Sequence, residues 1–318
     1  MDPELIALSD IEAARARLAG TAVRTPLVEL EDAGGDRQIF LKLENLQPIG
    51  AFKLRGACNA MAQAPEEVLE RGVYTASAGN MAQGVAWNAR RLGIRCTVIV
   101  PDHAPAAKLD AIRRFGAEII PVPFEEWWRV IVTSEYEGLD GLFIHPVSDP
   151  AVIAGNGTIG IELIEDLPDL DAVVVPYGGG GLISGIATAL RALSPDTTVL
   201  AAEVATAAPL APALAAGAPV EVEYEPSFVD GIGSGSVLDA MWPMVRQLVG
   251  GSIVVSLAEI SAAVKMLIER ANVVAEGAGA ASLAAALTDE VPGGKVVCVV
   301  SGGNIDSSKV AAILRGEL

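Results

Sequence analysis

The chain has 318 residues, enough for two lobes or one large domain, and at 51% hydrophobic and 19% charged it reads as a well-buried globular protein, not a disordered one. Its net charge of −18, from 22 basic and 40 acidic residues, argues against non-specific nucleic-acid binding, which needs clustered Lys and Arg. The three cysteines, Cys58, Cys96 and Cys298, are too widely spaced for a disulfide framework or a metal site and read as free thiols, while His103 and His145 are the only histidines and suggest neither zinc nor a nucleophile–His pair.

The N-terminal stretch MDPELIALSD has early acids and no apolar core, so it is not a secretory signal. No uncharged apolar run reaches transmembrane length outside glycine-rich segments, and a cytoplasmic protein is expected. Going along the chain, β-branched runs predict strands over 38–43, 73–76, 96–100, 117–121, 142–145, 172–175, 199–203 and 295–300. Helical spacing predicts helices over 81–92, 106–115, 153–165, 182–193, 257–270 and 307–315. The alanine runs 205–216 and 278–286 suit close helix packing. Strands that alternate with helices, and that are apolar on both faces, indicate an α/β fold of parallel sheets covered on both sides. The last helix lies near the end of the chain, so no appended regulatory domain is expected.

Four segments carry residue types with chemical meaning. The first, Pro48 to Ala57 (PIGAFKLRGA), sets Lys53 beside Phe52 and between two glycines. A lysine amine can form a Schiff base with an aldehyde cofactor, although a lysine opening a surface helix is the commoner case. The second is Ser77-Ala78-Gly79-Asn80-Met81, where a strand gives way to a helix. Backbone N–H groups, a hydroxyl and an amide at a positive helix end suit a carboxylate, and Ser or Asn there also serves as an ordinary cap. The third is Gly178-Gly179-Gly180-Gly181, after the strand over 172–175. Successive N–H groups with no Cβ in the way make a phosphate cradle. No Lys follows as in a nucleotide loop, and Glu203 keeps a dinucleotide reading open on spacing. The fourth is Ser301-Gly302-Gly303-Asn304, after the strand over 295–300. Ligands of open parallel sheets bind beyond the carboxyl ends of strands, so these segments can converge on one crevice.

Together GAFKLRGA, SAGN with AQGVA, HPVSDPAVIAGNGTIGIEL, GGGGLISG, VDGI, EGAGA and SGGN, in this order across residues 25 to 306, resemble the fold-type II pyridoxal-phosphate enzymes, specifically the threonine/serine dehydratase and serine racemase group. The resemblance implies a tryptophan synthase beta-like fold of two parallel-sheet lobes. Residues 1–65 and 147–318 would form a large cofactor lobe, and residues 66–146 a small mobile substrate lobe. It implies pyridoxal 5'-phosphate as cofactor, with Lys53 as its Schiff-base lysine and later the base at Cα. Phe52 would pack near the ring, Gly178, Gly179, Gly180 and Gly181 would bind the phosphate, and Asn80 the ring hydroxyl. Ser301 would face the pyridine nitrogen, and Glu276 would lie close by. Ser77, Ala78, Gly79, Asn80 and Met81 would hold the substrate carboxylate. The implied reaction is loss of the β-hydroxyl from L-threonine or L-serine, giving a 2-oxo acid and ammonia. A homodimer or higher homo-oligomer acting on a small amino acid is implied, with no nucleic-acid or membrane partner.

Several positions depart from that group. Its racemases carry a serine, as the second acid/base, where Ala78 stands, so elimination is expected over racemisation. Met81 replaces the usual histidine, either as a neutral packing swap or to make the pocket less polar. Tyr177 stands beside the glycine loop where a small aliphatic residue is common. Trp127 and Trp128 must face different sides of one helix, one toward the core and one toward the surface. A Trp reaching the site would point to a bulkier or aromatic β-hydroxy amino acid. Relatives often hold a cation with an acid at the position of Glu203 and a second acid soon after, but residues 204–210 contain no Asp or Glu, so this oxygen-ligated site is incomplete. A racemase or β-replacing synthase on the same fold, and a dinucleotide-binding oxidoreductase, are the rival readings.

Overall fold

The computed structural model describes residues 6–318. Its strands are β1 (Leu27–Gly34), β2 (Arg37–Lys42), β3 (Val73–Ala76), β4 (Cys96–Pro101), β5 (Glu118–Val122), β6 (Leu142–Phe143), β7 (Ala172–Pro176), β8 (Thr198–Val204), β9 (Gly251–Val255) and β10 (Lys295–Val299). They form a six-stranded sheet ordered β1-β2-β10-β7-β8-β9 and a four-stranded sheet ordered β5-β4-β3-β6. Every pairing is parallel except the β1–β2 hairpin at one edge. The α/β architecture with two parallel-sheet lobes is therefore the one the sequence implied.

Alternation along the strands divides the larger sheet into two apolar faces. Val174, Val296 and Cys298 point into one cluster, Val173, Val175, Val297 and Val299 into the other. The first face is covered by helix Gly277–Ala286, all ten residues of which are buried. Its small side chains allow close approach: a Cβ on Gly279 would stand 2.3 Å from the Gly302 carbonyl oxygen. Helices Pro150–Asp166 and Gly181–Leu193 cover the second face. In the smaller sheet, Val73, Val98 and Val100 pack toward helix Asn80–Leu92, while Tyr74, Ala76 and Ile99 pack toward helix Phe124–Thr133.

Helix Lys53–Gln63 is anchored by a buried charge cluster. The Arg55 guanidinium donates to both Glu44 oxygens at 2.8 and 2.9 Å and to both Glu162 oxygens at 2.7 and 2.9 Å. The Lys42 ammonium donates to Glu162 at 2.6 Å and to the Thr25 carbonyl at 2.7 Å. All four charged side chains are buried, and two positive charges face two negative ones.

The observed elements exceed those expected in number. Edge strands β1 and β9 and helices Leu8–Leu18, Lys53–Gln63 and Trp242–Leu248 have no counterpart among the predicted ones. The predicted strand over 142–145 is only Leu142–Phe143, because the chain turns at His145 to present Pro146 to the site. Among the described residues no helix is long and apolar enough to cross a membrane.

Candidate active site

Three of the four segments directly follow the carboxyl ends of β3, β7 and β10. The fourth, around Lys53, is stitched to the β10 loop. Ala51 bridges to Gly302, the Phe52 N–H donates to the Ser301 carbonyl at 2.9 Å, and the Gly303 N–H donates to the Gly50 carbonyl at 2.9 Å. This turn needs Gly50 at φ +73°, a conformation that favours glycine. All four segments line one cavity of about 340 Å³.

Lys53 begins its helix with its ammonium in that cavity, donating to the Pro146 carbonyl at 2.5 Å. Loss of hydration pulls its pKa down to about 8. The adjoining His145 is held neutral, its pKa lowered to about 4 by burial and by Lys53. Its Nδ1 accepts from the backbone N–H groups of Val147 at 3.0 Å and Ser148 at 2.9 Å, which fixes the turn carrying Pro146.

The glycine loop faces Lys53. A Cβ on Gly179 would lie 2.6 Å from the Val147 side chain, and one on Gly181 would lie 2.5 Å from the Val147 carbonyl oxygen. Gly180 has φ +95°. Gly179, Gly180 and Gly181 therefore meet steric or backbone needs that a plain flexible turn would not impose, while a Cβ on Gly178 would meet only ordinary contacts. Helix Gly181–Leu193 starts here and directs its positive end into the cavity. Tyr177 is buried behind the loop and does not line the cavity.

At the β3 end, helix Asn80–Leu92 starts from Gly79 with no side-chain cap. Its first N–H groups are left for a ligand, so the ordinary-cap reading of Ser77 and Asn80 does not hold. Ser77 instead accepts from the Gly79 N–H at 3.2 Å. The Asn80 amide donates to Glu276 at 2.8 Å and accepts from the Asn304 amide at 2.8 Å, tying the SAGN turn to the SGGN loop. Burial, reinforced by Asp230, pushes the Glu276 carboxyl up to about 7, against the Asn80 hydrogen bond and the nearby Lys108. Ser301 is buried at the cavity wall.

All the residues proposed for cofactor and carboxylate are thus brought together: Phe52, Lys53, Ser77 to Met81, Gly178 to Gly181, Glu276 and Ser301. Glu203 is not among them. Its carboxylate accepts from the N–H groups of Leu210 at 2.7 Å and Ala211 at 2.9 Å and from the Ser252 hydroxyl at 2.6 Å. Its oxygens are committed to anchoring helix Leu210–Ala216, which removes the ribose-binding acid that a dinucleotide site would need. Among the described residues no cluster of three His, Cys, Asp or Glu could hold a metal.

Sequence reasoning did not assign Lys108, Asp230 or Pro146 to the site. Lys108 and Asp230 pair at 3.0 Å along the cavity wall, one from each sheet's surroundings. Pro146 contributes a carbonyl, which leaves no trace in residue type. Trp127 also lines the cavity, while Trp128 is exposed and lines a second one with His145.

The family model for pyridoxal-phosphate dependent enzymes matches residues 18–302. An L-threonine ammonia-lyase of Thermotoga maritima is 42% identical over 321 residues, covering 99% of this chain and 79% of the relative. Maize serine racemase superposes with a TM-score of 0.91 at 35% identity, covering 98% of each chain. The processed threonine deaminase isoform 2 of Solanum lycopersicum superposes with a TM-score of 0.89 at 33% identity, covering 97% of this chain and 86% of the other.

Proposed function

The chain belongs to the pyridoxal-phosphate dependent enzymes, and from that premise we propose that Lys53 and the cavity around it catalyse loss of the β-hydroxyl from L-threonine and L-serine, yielding a 2-oxo acid and ammonia. The cofactor is pyridoxal 5'-phosphate, and the residues present suit it. Gly179 and Gly181 have no room for a Cβ beside Val147, so the backbone of the loop stays bare at the positive start of helix Gly181–Leu193, and Ser301 is buried at the wall of the same cavity. The name of the Thermotoga relative, alike over nearly the whole chain, supports an ammonia-lyase.

When bound, the cofactor supplies an electron sink that acidifies the Cα–H bond of an attached amino acid. The protein supplies the rest. Lys53 would hold the cofactor through its aldehyde group, and its free amine would take the Cα proton of the substrate. A pKa near 8 leaves part of its amine free at neutral pH. Ser77 and the uncapped N–H groups opening helix Asn80–Leu92 receive the substrate carboxylate. Asn80, fixed from both sides by Glu276 and Asn304, has one N–H left for the ring hydroxyl. Ser301 would offer the pyridine nitrogen a neutral hydroxyl instead of a carboxylate, which would keep the sink moderate and favour departure of the β-hydroxyl. Residues 66–146 act as a small lobe that closes on the substrate, with Lys108 and Asp230 meeting across the closure.

Ala78 separates this reading from racemisation. Reprotonation on the face opposite Lys53 needs a second acid there, and a methyl group has no proton to give. The protein is further proposed to be a cytoplasmic homo-oligomer. The test is product analysis with L-threonine and the loaded protein. The expected result is 2-oxobutyrate and ammonia in equal amounts. Inverted amino acid from L-serine without pyruvate would overturn the reading in favour of a racemase.

A further inference from the structure

We propose that Trp127 limits the substituent on the substrate's β-carbon to hydrogen or methyl. The inference rests on the elimination reading above and adds the substrate class to it. Trp127 sits in the first turns of helix Phe124–Thr133 and lines the cavity that holds Lys53 and Ser77. The indole has aromatic neighbours. Phe124 lies against it at 5.6 Å between ring centroids with a 35° tilt, and Trp128 lies at 6.2 Å. It packs on the cluster that includes Ala76, Ile99 and Val122. Ala76 immediately precedes the SAGN turn, and the ring lines the same cavity as Ser77 to Met81, where the substrate would bind.

An aromatic wall can hold an aromatic substituent or shut one out, and volume decides between them. The cavity of about 340 Å³ must take both cofactor and amino acid. That is near the lower end of the ~300–1,000 Å³ typical of sites for a single ligand. Met81, buried on the same cavity wall, adds apolar bulk. Little space remains for atoms beyond a β-methyl group.

A purely structural role for Trp127 fits poorly with its ring nitrogen. The Nε1–H is buried with no hydrogen-bond partner. Such a group carries a desolvation cost that phenylalanine would avoid while filling most of the same space. An indole on the wall of the reaction cavity takes up space, beyond what a phenylalanine ring would fill, that a substituent on the substrate could otherwise occupy.

The test compares kcat/KM for L-serine, L-threonine, β-hydroxynorvaline and β-phenylserine in the parent, Trp127→Phe and Trp127→Ala, with melting temperature recorded for each. One extra methylene against a closed wall is worth about tenfold or more in kcat/KM. The parent is expected to lose at least that from threonine to hydroxynorvaline. The phenylserine-to-serine ratio is expected to rise at least tenfold in Trp127→Ala. Trp127→Phe should shift the hydroxynorvaline-to-threonine ratio in the same direction without a fall in melting temperature, which a core-packing role would not produce. Equal use of phenylserine and threonine by the parent would overturn the inference, as would ratios unchanged in both variants. A parent that forms no 2-oxo acid from serine or threonine would instead refute the elimination reading.

Discussion

Replacing Arg55 by methionine removes one charge from a buried set of four. Glu44 then keeps Thr25 and Gln47 as neutral partners, and Glu162 keeps Lys42. Breaking a buried pair by deleting one member costs about 3–5 kcal/mol, because the other charge is left uncompensated. At roughly 2–4 °C per kcal/mol for a large domain, the apparent melting temperature at pH 8 should fall by about 6–20 °C. The loss should also depend on pH. Burial alone would raise the Glu44 carboxyl, but the Arg55 guanidinium overrides it and holds the group below its ordinary value. In the parent, Glu44 therefore contributes stability above its unfolded pKa, and this is lost only in acid. In Arg55→Met the two largest opposing influences are gone and what still holds Glu44 down, the Thr25 hydrogen bond and the Lys42 charge, is weaker, so burial dominates, the folded pKa rises, and the sign reverses. The variant gains relative stability as pH falls from 8 toward 5, where Glu44 can take up a proton. Thermal scans of both proteins at pH 8 and pH 5.5 measure this. A variant within 2 °C of the parent at pH 8, or an equal deficit at both pH values, would refute the reasoning.

Gly181→Ala places a Cβ against the Val147 carbonyl oxygen and should weaken binding of pyridoxal 5'-phosphate at least tenfold, read by fluorescence titration, with the fold retained by circular dichroism. Glu276, raised to about 7 by burial, binds a proton in the folded state that the unfolded chain releases near 4.5. Stability of the cofactor-free protein should therefore decline by about 3 kcal/mol as pH rises from about 4.5 through about 7, and Glu276→Gln should remove that decline in urea titrations. Ala78→Ser should raise formation of the D-enantiomer from L-serine above the parent's baseline on chiral chromatography, and no increase would remove the support for the face argument.

The site was readable where a residue type is itself the requirement. Gly179 and Gly181 exclude a Cβ and Gly180 has a positive φ, so glycine is required at three of the four positions and the need shows within GGGG. Lys53 is readable for the same reason, as its chemistry needs an amine. Central strands β7 and β10 are buried on both faces and show as unbroken apolar runs. Strand β1 does not, because as a sheet edge it tolerates Glu29, Glu31 and Asp32. Glu203 shows how spacing misleads: its distance from the glycine loop suits a ribose-binding acid, yet folding commits its oxygens to the start of helix Leu210–Ala216. Lys108 and Trp127 reach the cavity through tertiary packing alone, and no local pattern distinguishes them from a surface charge or a core aromatic, while Asp230 lies in the VDGI segment without any sign of its role there.

Two lysines, Lys53 and Lys108, line the cavity, so identifying the one that carries the cofactor tests the account most directly. The loaded enzyme would be reduced with borohydride, assayed for 2-oxobutyrate formation from L-threonine, and digested for mass spectrometry. The account predicts loss of activity and a cofactor adduct on Lys53 alone. An adduct on Lys108 with Lys53 unmodified would contradict it.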